Sequence, residues 1–136
     1  MTVVDASVVV ELLAPRDESR REAALAALPP APRPWRAPEL VHFEVFSAIR
    51  RLTQRRNLEP TLAETALERL YDVPIETTST AALIPAAWRL RDRCSAGDAF
   101  YAALAQRRNE PLLTIDAGLR RAATAAGVQV LTLGDE

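Results

Sequence analysis

The chain reads as an α/β protein, a mainly parallel sheet of four to five strands surrounded by about seven helices, and three observations predict it. Short apolar runs alternate with longer segments of helical spacing, in the order β-α-α-(β)-α-α-β-α-α-β-α-β. Two of the runs, Met1-Thr2-Val3-Val4 and Leu112-Leu113-Thr114-Ile115, are each closed by an aspartate, Asp5 and Asp116, the pattern of buried strands that end at a sheet edge. The hydrophobic fraction of 49% beside 26% charged residues is that of a folded chain, and 136 residues suffice for one domain, 1–136, with its own core.

Taken in order, the first strand leads into a short helix from Ala6 to Leu13, stopped before Pro15, and a second from Asp17 to Leu28. Pro29 to Pro38 holds five prolines and cannot be helical; it is a surface connection with a short strand at Trp35-Arg36. Pro38 offers a preorganised start for a long helix from Glu39 to about Arg56, broken at Asn57. Thr61-x-x-Glu64 is a capping box for a helix running to about Tyr71. Val73 to Thr78 is a strand that Pro74 confines to an edge, or that begins at Pro74. Thr80 to Arg93 is helical, with a start or kink at Pro85, and the helix Gly97 to Asn109 follows. After the strand of Asp116 come a helix from Ala117 to Ala126, Gly127 as its cap, and a last strand from Val128 to Leu133.

Composition removes several function classes. No apolar run approaches the roughly 18 residues needed to span a bilayer, and no basic region precedes an apolar stretch at the N-terminus, so the chain is placed in the cytoplasm, away from membranes. Cys94 is the single cysteine, which excludes an intramolecular disulfide and a cysteine metal cluster and leaves a small, at least partly buried thiol. All 17 basic residues are arginine. The absence of lysine argues against receiver domains and haloacid-dehalogenase-like phosphatases, which resemble this chain at Asp5 but need a lysine. Four glycines supply neither a P-loop nor a dinucleotide-binding turn.

The informative residues are four acids, Asp5, Glu44, Asp98 and Asp116, each at the edge of an apolar segment or inside one. Asp5 and Asp116 end strands, and in open parallel sheets ligands collect at those carboxyl ends. Asp98 opens the apolar helix Asp98-Ala99-Phe100-Tyr101-Ala102-Ala103-Leu104-Ala105. Each of these three has a purely structural use: Asp5 and Asp116 as helix N-caps worth about 1 kcal/mol, Asp98 as the partner of Ser95 in a capping box. Glu44 is different. It lies about two turns into its helix among Leu40, Val41, Val45 and Ala48, where capping does not explain it and only an ion pair to arginine offers a structural reason. If the four converge, two carboxylates ~5 Å apart repel by roughly 3 kcal/mol at an effective dielectric of about 20. Magnesium or manganese, hard ions that take oxygen ligands and keep waters, would relieve that repulsion, with phosphate esters as natural substrates.

These residues resemble a known family. Val-Val-Asp5-Ala-Ser-Val, Ala-Pro-Glu-Leu-x-x-x-Glu44-Val, Gly-Asp98-Ala-x-Tyr-x-Ala-Leu-Ala and Leu-Leu-Thr-Ile-Asp116 are similar, in order and through essentially the whole chain, to the signatures of PIN-domain ribonucleases, specifically the VapC toxins of type II toxin–antitoxin (VapBC) modules. The resemblance implies a PIN-domain fold and a magnesium-dependent endoribonuclease, with manganese as a substitute ion. It makes Asp5, Glu44, Asp98 and Asp116 both catalytic residues and metal ligands, and it implies that Ser7 and Thr114 hydrogen-bond within or beside them. Gly97 departs from the family pattern, because many relatives carry a bulkier residue before the third acid.

The same resemblance implies a cognate VapB-type antitoxin whose C-terminal segment occupies a groove by the site, an RNA substrate and a toxin homodimer. On the Glu39–Arg56 helix, Val41, Val45, Ala48 and Leu52 form one apolar stripe while Phe43 and Phe46 point elsewhere, which suggests partner contact unless a thick core takes both. RNA phosphates would fall to arginine, with Arg50, Arg51, Arg55, Arg56, Arg89, Arg91, Arg93, Arg107 and Arg108 as candidates. His42 is the single histidine and, two residues from Glu44, does not share its helix face, so it reads as structural or interfacial. The rivals are a catalytically silent PIN-like module that binds RNA or protein, and a structure-specific DNA nuclease of related fold, for whose threading arch the chain lacks room.

Overall fold

The computed structural model describes residues 1–30 and 32–133, so Ala31 of the proline-rich connection and residues 134–136 lie outside the described residues. The elements in chain order are β1 (Val3–Val4), α1 (Ala6–Leu13), α2 (Glu18–Ala27), β2 (Trp35–Pro38), α3 (Val41–Gln54), α4 (Pro60–Leu70), β3 (Ile75–Thr78), α5 (Thr80–Arg89), α6 (Ala96–Arg108), β4 (Leu112–Leu113), α7 (Ala117–Ala125) and β5 (Val130–Leu131). The five strands form one sheet in the order β3-β2-β1-β4-β5, and every pairing is parallel. Among the described residues no helix is long and apolar enough to cross a membrane.

The order has one consequence for the site. From β1 the chain first builds outward to β2 and β3, then returns to lay β4 and β5 on the other side, so the direction of winding reverses between β1 and β4. The crevice outside the carboxyl ends of two such strands is where ligands bind in open parallel sheets. Asp5 and Asp116 follow those two strands. The backbone N–H of Asp5 donates to the Leu113 carbonyl at 3.3 Å, which extends the β1–β4 pairing to the edge of the crevice.

Both faces of the sheet are covered. Val3, Val4, Trp35, Ala37 and Leu112 are sealed, and the helices add Val8, Val9, Val41, Val45, Ile49, Tyr101, Leu104 and Leu119 to the same core. A smaller cluster of Ala87, Leu90, Ala99, Ala102 and Ala103 joins α5 to α6. At the opposite edge of the sheet from the crevice, Arg36 pairs with both Glu76 and Glu110, tying β2 to β3 and to the start of β4. Cys94 is half-buried, with its thiol directed at the Leu90 carbonyl.

Several boundaries differ from the sequence reading, each for a local reason. Pro38 does not begin α3; it ends β2, paired with Thr78, and the helix starts at Val41. A proline is tolerated in this central strand because β1 ends at Val4, short of it. The start of α4 is Glu59, whose carboxylate accepts from the Thr61 N–H, followed by Pro60 in the first turn, and not the Thr61 capping box. Arg56, not Asn57, takes the left-handed conformation that ends α3. Its N–H donates to Thr53 and that of Asn57 to Leu52, a Schellman closure with arginine in the usual glycine position. Gly127 closes α7 in the same way at φ +82°, as expected. Pro85 lies inside α5, which is capped by Ser79 and ends at Arg89, not Arg93. The Ile75–Thr78 strand is an edge strand, as Pro74 requires.

Candidate metal centre

Asp5 follows β1 with the extended backbone of an N-cap (φ −100°, ψ 173°), but without a side-chain cap hydrogen bond. Instead the Ser7 hydroxyl donates to Asp5 Oδ1 at 2.7 Å. The same Ser7 oxygen accepts from the Ile115 N–H at 3.3 Å and lies 3.5 Å from the Thr114 hydroxyl. A serine has one hydrogen to give, and Asp5 takes it, so Thr114 is the donor in that last contact. Thr114 Oγ1 in turn accepts the Asp116 N–H at 3.0 Å. The two hydroxyls thus fasten the end of β1 to the segment that follows β4.

Asp5 is 6% exposed. Burial pushes its carboxyl up to about 6, against the lowering effect of the Ser7 and Thr114 hydroxyls, and the charge of Asp116 pushes the same way as burial. Asp116 itself stands at the exposed rim as the N-cap of α7, accepting from the Gly118 N–H at 3.1 Å. Its capping use and its place in the site are compatible, because a carboxylate has two oxygens.

Asp98 sits in the first turn of α6, where the Ser95 hydroxyl caps its N–H at 3.3 Å. Burial raises its pKa, and the Asp116 charge adds to the rise. Glu44 falls in the first turn of α3, not two turns in, because the helix starts later than the sequence suggests. Among the described residues it makes no ion pair with arginine; the buried Tyr101 hydroxyl donates to Glu44 Oε1 at 2.6 Å. Burial raises the Glu44 pKa and the Tyr101 hydrogen bond opposes it, with smaller effects from Asp98 and Asp116 upward and from Arg51 downward. The Tyr101 phenol is driven far above its ordinary value, first by burial and then by the Glu44 carboxylate, and so remains a donor.

All four acids line one cavity of about 530 Å³ between α1 and α3. The charge of Asp116 pushes the carboxyls of Asp5, Glu44 and Asp98 upward, and that of Asp98 does the same to Glu44, the electrostatic mark of shared space. Among the described residues, however, no three Asp, Glu, His or Cys side chains gather closely enough to clasp an ion unaided. The carboxylates ring the cavity and leave room between them. That donor set fits magnesium, which dehydrates reluctantly and is commonly held by one or two carboxylates together with waters and substrate phosphate.

The cavity continues from the acids along α3 past Phe43, Ser47 and Ala48 to Arg51 and Arg55, and is closed on the α1 side by Val10, Glu11, Ala14 and Arg16. Of the nine arginine candidates only Arg51 and Arg55 line it. Arg16 lines it as well and was not anticipated, since nothing in Pro15-Arg16 marks it apart from its charge. His42 is exposed and does not line it, which leaves no histidine for acid–base work there. Phe43 and Phe46 are 70% and 52% exposed, so no thick core absorbs them.

The comparisons bear on the fold and the family. The PIN domain family profile matches residues 2–125. Ribonuclease VapC3 of Mycobacterium tuberculosis is 38% identical over 120 residues, covering 88% of this chain and 85% of that protein, and Ribonuclease VapC9 of the same organism is 33% identical over 116 residues, covering 85% and 86%. Among solved structures, Mycobacterium tuberculosis VapC20, described as a sarcin-ricin loop cleaving toxin, superposes with a TM-score of 0.66 at 20% identity over 94% of this chain and 96% of that one. VapBC2 of Rickettsia felis, solved on a DNA fragment of its promoter, gives 0.65 at 11% identity over 97% and 98%. The chain belongs to the PIN domain family, and within it to the proteins named VapC.

Proposed function

We propose that the chain is a metal-dependent endoribonuclease, the toxin of a type II toxin–antitoxin pair, that hydrolyses RNA phosphodiesters in the cytoplasm. The observation that carries this reading is the convergence of Asp5, Glu44, Asp98 and Asp116, from four separate elements, on one cavity whose far wall bears Arg16, Arg51 and Arg55. The names of the VapC3 and VapC9 relatives support the activity.

Asp5, Glu44, Asp98 and Asp116 are the residues that would hold magnesium, or manganese in its place. When bound, the ion supplies the positive charge that admits a phosphate among carboxylates and lowers the pKa of its waters. The chain's own groups do the rest. Ser7 holds Asp5 in one orientation, Thr114 holds Ser7, and Tyr101 holds Glu44. Asp116, at the exposed rim, is the first acid an entering strand meets. Arg51 and Arg55 present guanidinium groups one turn apart along α3, suited to neighbouring phosphates of a single strand.

The test is incubation of purified, antitoxin-free chain with transfer and ribosomal RNA in magnesium, in manganese and in EDTA. Internal cuts are expected with either metal and none in EDTA. Intact RNA in all three, with RNA still bound, would favour the silent binding module instead.

The antitoxin partner belongs to the same proposal, supported by the toxin–antitoxin pair among the structural relatives. Phe43 at the cavity rim and Phe46 one turn further along α3 form its contact. Phe46→Asp is expected to weaken antitoxin binding by about tenfold or more with the melting temperature unchanged, since the ring is already in water; unchanged affinity in a calorimetric titration would remove Phe46 from that interface. A homodimer completes the proposal, with Ile84 and Trp88 exposed one turn apart on α5.

A further inference from the structure

Gly97 has no conformational reason to be glycine. It lies in the first turn of α6 with a negative φ, where alanine is the better helix former. What it lacks is a Cβ, and the place a Cβ would occupy is 2.7 Å from Glu44 Oε2, well inside van der Waals contact. On the other oxygen, Oε1, the same carboxylate receives the Tyr101 hydroxyl at 2.6 Å. Gly97 and Tyr101 are four residues apart on one helix and therefore share a face. The Glu44 carboxylate seats in the gap between them, next to Asp98, the residue that follows Gly97.

We propose that Gly97 and Tyr101 are positioning residues that clamp the Glu44 carboxylate against the first turn of α6, fixing its distance from Asp98. Glu44 reaches the cavity on a flexible side chain from a different element, and among the described residues no arginine ion pair holds it. The phenol fixes one oxygen by a directed hydrogen bond, and the bare glycine backbone lets the other come close. A side chain at position 97 would push the carboxylate away from α6 and out of register with Asp98. The small residue and the seating of Glu44 go together in this chain.

The effect on metal affinity rests on the reading of the four acids as an ion site; the seating of Glu44 does not. The experiment therefore has two arms. In the first, the side-chain carboxyl carbon resonance of Glu44, assigned with Glu44→Gln, is followed in the metal-free chain. Gly97→Ala and Tyr101→Phe are each expected to move it and to leave that of Asp5 in place; a resonance unchanged in both variants overturns the clamp. In the second arm, manganese is titrated into wild type and variants. Gly97→Ala is expected to weaken binding by about tenfold, the usual size for a group that orients a ligand, with no fall in melting temperature because helix propensity favours alanine. In a Glu44→Gln background the same substitution should have no further effect. An equal loss in that background overturns the proposal, because Gly97 would then act through something other than Glu44. If wild type binds no manganese, the ion-site reading falls and the resonance arm alone decides the clamp. Melting curves of Gly97→Ala and Tyr101→Phe, which add or remove few atoms, confirm that both fold.

Discussion

Asp98→Asn is expected to lower the rate of RNA cleavage by about a thousandfold or more while leaving the melting temperature within a few degrees of wild type, and Asp5→Asn and Asp116→Asn are expected to do the same to the rate. The size follows from the chemistry proposed for the site: metal ligands act as a unit, and losing any one removes most of what the unit supplies. The fold is spared for reasons particular to each position. Asp98 is capped by Ser95 through its backbone N–H, which the substitution keeps. The asparagine at 116 retains an oxygen for the Gly118 N–H. Single-turnover cleavage of one RNA under saturating magnesium, beside a thermal melt, measures both quantities. Wild-type rates in all three variants would show that these carboxylates are not the chemical centre.

Asp5→Asn should also make the metal-free chain more stable at neutral pH, by about 2 kcal/mol. Burial raises the Asp5 carboxyl from 3.8 to about 6, so the folded chain holds that proton more tightly than the unfolded chain does. The sign follows from linkage. The contribution of this group to stability is fully present below about pH 4, is lost as pH rises through the window from 4 to 6, and stays lost above it. A shift of this size corresponds to roughly 3 kcal/mol, and about 1 kcal/mol is surrendered because an amide oxygen accepts the Ser7 hydroxyl less strongly than a carboxylate does. Denaturant unfolding in EDTA at pH 7.5 and at pH 4 tests this. The variant should gain at pH 7.5 and lose that advantage at pH 4; a variant less stable at pH 7.5, or a difference indifferent to pH, contradicts it. Added magnesium should stabilise wild type and not the variant, by linkage of binding to folding.

These two expectations concern a site whose residues were largely legible in the sequence and whose construction was not. Asp5 and Asp116 announce themselves by closing apolar runs, because a strand end is a local pattern. Glu44 stands out as a charge in an apolar helix. Nothing local connects Glu44 to Tyr101, 57 residues away, or to Gly97, since those contacts exist only once α3 and α6 pack. The same limit applies to Arg16, which becomes a wall of the cavity only when α1 and α3 lie side by side.

The fold shows a parallel division. Element types and order follow from periodicity and turn residues, but strand lengths do not. The segment Val128–Leu133 reads as a six-residue strand, yet β5 spans Val130–Leu131, in register with the two residues of β4, Leu112 and Leu113. Pro38 reads as a helix start from its own stereochemistry and ends a strand because Thr78 is there to pair with it. In each case a neighbour distant in sequence decides.

Manganese binding to the metal-free chain decides whether Asp5, Glu44, Asp98 and Asp116 together hold a divalent metal. Wild type should bind the ion, with Asp5→Asn and Asp98→Asn each at least about tenfold weaker while still folded. A wild-type chain that binds no manganese, or variants that bind it as tightly as wild type, would show that these carboxylates do not form a metal site.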